Sequence, residues 1–162
     1  MMPFDRFLSG VLDRARQEAR EDGSATVEAH HLLLAVAALD EPTTSQVLSE
    51  VGMTHAGVRA ALDREFAQSL AAAGVSLAAS GLPPVRTAAV DSPAMGASVK
   101  LALHRGFDGI GRKRDLRPVH LLIGIAQAEV GTVPRALALA GVDRADLIAR
   151  ARAALAAERV DE

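Results

Sequence analysis

The residues of this 162-residue chain best placed to do chemistry are two adjacent histidines, His30 and His31. Imidazole is a metal ligand and titrates near neutral pH. Neighbouring side chains on a helix point about 100° apart, so the pair is poorly arranged to chelate one ion, and no metal is expected. A third histidine argues for a different role. His120 begins "HLLIGIAQAE", 89 positions after His31 begins "HLLLAVAALD". One histidine at the head of two similar apolar runs reads as a repeated structural element, buried near a helix start and hydrogen-bonded to backbone or to the other half of the chain.

A second candidate is "RGFDGIGRKRD", residues 105–115, with Gly106, Gly109, Gly111 and four basic residues. Its spacing departs from the phosphate-cradling G-x-x-x-x-G-K-[ST] loop, and no strand pattern precedes it. It reads as a flexible interhelix loop, with a basic partner-docking or anion-binding loop as the alternative. Carboxylate pairs such as Glu21-Asp22 look like a solvated helix end, and no nucleophile, base and acid stand in a recognisable order. No enzyme, no ATPase activity and no cofactor are expected.

Composition narrows the setting for these residues. The chain is long enough for one compact core or for two small units sharing one. Nearly half the residues are apolar, with four Phe and no Trp or Tyr, so the core must come from Ala, Leu and Val, which favours helices. There is no cysteine, which removes disulfides and thiolate metal sites and fits a reducing, cytoplasmic setting. A net charge of −2 with interspersed basic residues gives no field for nucleic acid. No apolar run approaches membrane-spanning length, and the first twenty residues lack the order of a signal peptide.

The elements that must position the histidines follow from periodicity. Phe4, Leu8, Val11, Leu12, Ala15 and Ala19 form one stripe of a helix over about residues 4–21. Gly23 is a stop. The run from His31 to Leu39 is apolar almost all round, as in a helix buried on most faces. A short helix over about 43–51 ends at Gly52, and Thr54 caps a fourth whose Val58, Leu62 and Phe66 are spaced four apart. Residues 67–91, with Gly74, Gly81 and Pro83-Pro84, read as a linker.

The pattern then restarts. Residues 30–62 align without a gap on 119–151, with nine identities in 33 positions, where a chain this rich in Ala and Leu gives about three by chance. They include His31/His120, Leu33/Leu122, Leu48/Leu137 and Gly52/Gly141. The expected fold is all-α: one domain over 1–162, built from a four-helix repeat over 1–66, a linker over 67–91 and a second repeat over 92–158, packed with pseudo-twofold symmetry.

These residues resemble the amino-terminal (Clp R) domain of the Clp/Hsp100 AAA+ unfoldases. Each family repeat opens with Phe-Thr, passes through Val-Leu and two helical alanines to a glycine, and reaches Ile-Gly-Thr-Glu-His-Leu-Leu-Leu-Gly before Val-Leu-x-x-Leu-Gly. Val27, His31, Leu32, Leu33, Leu34, Leu48 and Gly52 match in the first repeat. Ser92-Pro93, His120, Leu121, Leu122, Gly124, Leu137 and Gly141 match in the second.

The resemblance implies a non-catalytic domain, here without its ATPase modules, that docks adaptors and substrates. Its expected partners are proteins or peptides, among them Clp unfoldase subunits, adaptors or clients. The alternative is a protein that sequesters a small molecule or antibiotic on the same fold. By family position the partner-binding residues are Phe4, Asp5, His30, Ser92, Pro93 and Val119. Some members bind phosphorylated arginine through the signature glutamate and the opening threonine. In this chain the glutamates are replaced by His30 and Val119 and the threonines by Asp5 and Ser92, so only Ser92 keeps a suitable group and weak phosphoarginine binding is expected.

Overall fold

The computed structural model describes residues 3–75 and 92–161. Among them are eight α-helices: α1 (Pro3–Glu21), α2 (Ala29–Ala38), α3 (Pro42–Glu50), α4 (His55–Ala72), α5 (Ala97–Phe107), α6 (Pro118–Ala126), α7 (Thr132–Leu139) and α8 (Arg144–Val160). A 3-10 turn at Lys113–Asp115 precedes α6. Two short strands, β1 (Thr26–Val27) and β2 (Ala94–Met95), pair in parallel, Thr26 beside Ala94 and Val27 beside Met95. This pairing ties the entry of α2 to the entry of α5. The fold is all-α, two four-helix units in the same order, α1–α4 and α5–α8.

The helix ends follow local chemistry. Thr54 accepts a hydrogen bond from the Gly57 amide at 3.2 Å, and Asp143 caps α8 through Ala145 N at 2.9 Å. Pro42 and Pro118 occupy first turns, where a missing N–H costs nothing. Gly52 and Gly141 close α3 and α7 with φ of 75° and 74°, the left-handed conformation in which glycine has no Cβ penalty.

α2 and α6 form the centre. From His31 to Val36 and from Val119 to Ala126 nearly every residue is buried, and buried residues of both units belong to one continuous cluster. Each central helix packs chiefly on the first helix of its own unit. α1 presents Ala15 and Ala19 as part of its buried stripe, and α5 presents Ala102 and Gly106. In the second unit the approach is so close that a Cβ on Gly124 would lie 2.1 Å from the Ala102 carbonyl oxygen, and one on Gly106 2.5 Å from that of His120. Gly106 is thus a helix-crossing residue, and Arg105–Phe107 belong to α5 and not to a flexible loop.

Two further expectations change. Phe66, 57% exposed, leaves the core, because the buried stripe of α4 is Val58, Ala61, Leu62 and Glu65, and the next position falls beyond its edge. Helix α4 also runs through Ala72, so residues 67–72 of the expected linker are helical, while 76–91 lie outside the described residues.

Candidate functional site

Both signature histidines do the same local job. His31 Nδ1 accepts from the Glu28 amide at 3.0 Å, and His120 Nδ1 from the Arg117 amide at 2.9 Å. Each imidazole thereby closes a backbone N–H left open at its helix start. With Nδ1 accepting, the neutral ring carries its proton on Nε2.

The far nitrogens differ. His31 Nε2 meets Asp22 Oδ2 at 3.1 Å. Asp22 Oδ1 accepts from Arg59 at 3.1 Å, whose other nitrogen reaches Glu18 Oε2 at 3.0 Å. Glu18, only 1% exposed, also receives Arg14 at 3.0 Å and His55 at 2.7 Å. Burial by itself raises the Glu18 carboxyl, but the hydrogen bonds from His55 and Arg14 outweigh it and hold the group below the usual range. Asp22 is lowered on the same balance, burial against His31 and Arg59. This network was missed in the sequence. Its signal was an acid, Glu18, on the buried stripe of α1 between Ala15 and Ala19, flanked four residues away by Arg14 and Asp22.

His30 lies against His31, ring centroids 4.0 Å apart. Burial, reinforced by His31, lowers its pKa to about 4, so the ring is neutral at pH 7. Contrary to the sequence expectation, the two imidazoles and Asp22 do bring ligand atoms within 4.8 Å of one another. The chemistry is still unsuited to a cation. A metal on His31 Nε2 would have to displace the proton held by Asp22 while Nδ1 keeps accepting from Glu28, leaving an imidazolate beside the Arg59 charge. His30 and the hydrogen-bonded pair His31–Asp22 line a cleft of about 370 Å³ that reaches Arg59, Asp63 and the exposed Phe66.

The family-position residues fall in separate places. Phe4 packs edge-on to Phe107 at 5.4 Å and lines a larger cleft of about 660 Å³ with Phe7, Arg114 and Arg117. Asp5 is paired with Lys113 at 2.9 Å. His30 also lines a third cleft, of about 320 Å³, with Glu28, Ser98 and Arg105. Ser92 is exposed, but Pro93 and Val119 are buried. Val119 has no exposed surface with which to touch a partner and acts in packing.

The units are bridged by Ser98, which accepts from the Ala29 amide at 2.8 Å and donates to Glu28. Thr43 donates to Glu158, and Arg135 meets Glu65 at 3.0 Å. No described helix is long and apolar enough to cross a membrane.

An all-helical domain of two similar units joined face to face is the class this geometry defines. Residues 4–89 match the model of the Clp repeat (R) N-terminal domain, and the chain belongs to that family. The fold is shared with the N-terminal domain of the caseinolytic protease associated chaperone ClpD from Arabidopsis thaliana. That crystal structure superposes with a TM-score of 0.61 over 95% of this chain and 97% of that one, at 19% identity. No curated protein matches the sequence.

Proposed function

We propose that this domain is a non-catalytic docking module of the Clp system that engages a protein or peptide, whether an unfoldase subunit, an adaptor or a client. The observation that supports this most directly is the use made of the signature histidines. Both ring Nδ1 atoms are committed to closing helix starts, which leaves the chemistry-capable residues in structural roles and the surface clefts for binding. Affinity capture from a native extract, with the bound proteins identified by mass spectrometry, tests it. Enrichment of Clp subunits, adaptors or clients is expected, and their absence at saturating bait overturns the reading.

Phosphoarginine is a poor fit for this surface. Val119 is buried and apolar, Asp5 carries the charge sign of a phosphate, and His30 is neutral. Each loss should cost on the order of 1–3 kcal/mol. Calorimetric titration is expected to give millimolar or weaker binding. Micromolar binding would contradict the assignment.

A second reading is sequestration of a small molecule. The clefts of about 320 to 660 Å³ fall in the range typical of such sites, ~300–1,000 Å³. Native mass spectrometry of protein purified from its host separates the two through an adduct of defined mass.

A further inference from the structure

We propose that the cleft between α1 and the start of α6 takes the C-terminal end of an apolar peptide, its carboxylate held at Arg114. This deepens the docking reading and rests on it.

The cleft has about 660 Å³, room for more than one side chain. Phe4 and Phe7 form one wall, 6.4 Å between centroids and backed by Phe107. Leu116 and Pro118 also line it. Lys113, Arg114 and Arg117 bring positive charge to the lining, in and just before the first turn of α6, which has no acidic residue. The helix's own positive end adds to that field.

The three cations are not equivalent. Lys113 is paired with Asp5, and Arg117 is held by the Arg114 carbonyl at 2.7 Å and the Leu116 carbonyl at 3.2 Å. Arg114 is exposed and has no carboxylate partner among the described residues. Its guanidinium fork matches a carboxylate with two parallel hydrogen bonds. In the cleft of about 370 Å³, by contrast, Arg59 is already paired with Asp22 and Glu18.

The acidic residues of the lining separate a peptide end from a simple organic acid. Glu41 caps α3, and Glu158 accepts from Thr43, while Asp161 is exposed at the end of α8. Carboxylates in the same lining as the cations repel a second acidic group on a ligand and can accept from the N–H groups that a peptide carries behind its terminus. The basic turn, read in the sequence as a flexible interhelix loop with docking or anion binding as the alternative, thereby lines a cleft with aromatic side chains that sequence spacing did not reveal.

The test is fluorescence anisotropy at low ionic strength with a labelled decapeptide ending in Leu-Leu. It compares the free acid, the C-terminal amide, and competition by hexanoate. The acid is expected to bind at least tenfold more tightly than the amide, and Arg114→Glu to lose at least tenfold without a change in melting temperature. Arg64→Glu, the same charge change on the exposed face of α4, is expected to leave binding intact. Equal binding of acid and amide, or equal loss in the two variants, overturns the proposal. Hexanoate competing as well as the peptide overturns the peptide assignment. Capture of Clp proteins without acid-over-amide discrimination leaves the docking role standing and removes this cleft as its site.

Discussion

The two four-helix units start their central helices with the same histidine hydrogen bond and then diverge around it. In the first unit the far nitrogen of His31 leads into Asp22, Arg59, Glu18 and His55. With Ala15 aligned on Ala102, the places of Glu18 and Asp22 are taken in the second unit by Arg105 and Gly109, and that of Arg59 by Ile148. No carboxylate among the described residues bonds His120 Nε2. The second unit instead brings its first two helices into backbone contact through Gly106 and Gly124, where the first unit has Ala19 and Ala35. The same element is thus stabilised by a partly buried ionic network in one copy and by close backbone packing in the other. A histidine-headed helix needs only its cap and an apolar surround.

The largest effect tests what the units share. Leu33→Asp and Leu122→Asp each place a carboxylate at a buried position of a central helix and are expected to lose more than about 4 kcal/mol. Urea denaturation reads this, and a near-native midpoint for either variant would show that its helix is not central.

The next effects separate the units. Gly124→Ala drives a Cβ into the Ala102 carbonyl and should cost about 3 kcal/mol. Ala35→Gly at the aligned position should cost only about 1 kcal/mol, as a helix-interior propensity change. Equal costs would mean that the two crossings are equally close. Glu18→Gln leaves Arg14, Arg59 and His55 without their shared charge and should cost about 2 kcal/mol, whereas Arg105→Gln should stay within about 0.5 kcal/mol. The cost of Glu18→Gln should shrink in an Arg59→Met background, where one of its charge partners is already gone.

The last effect is the acid response. His30 titrates near 6.5 when unfolded and at about 4 when folded. Between those values the unfolded chain binds more protons, so stability rises with pH there and falls on acidification. From pH 7 to 5 the loss should be on the order of 1–2 kcal/mol, before the lowered carboxylates Glu18, Asp22, Glu28 and Glu65 begin to protonate. His30→Gln should remove most of it. An unchanged slope would assign the response to His120, which burial also lowers.

Much of the architecture was legible because it rests on local rules. The stripe of α1, the almost wholly apolar α2 and α6, the Thr54 cap and the glycines ending α3 and α7 all follow from periodicity and termini. The repeated histidine was legible as a structural element because it recurred. The ends of α4 and α5 were less legible. Glycine and proline in a sequence signal breaks, yet α5 runs past Gly106 because the neighbouring helix backbone occupies the space a side chain would need.

By itself the sequence determined the class of elements, their order and the burial of the two central helices, since these depend on spacing along one chain. Only the tertiary structure decided which polar groups meet, Glu18 with His55 and Arg59 and Asp5 with Lys113, and that Arg114 lines one cleft with Phe4 and Phe7. Such pairings join residues tens of positions apart. Their partners are chosen by how helices cross, and the crossing is set by side-chain volume at contacts such as Gly106 against Gly124.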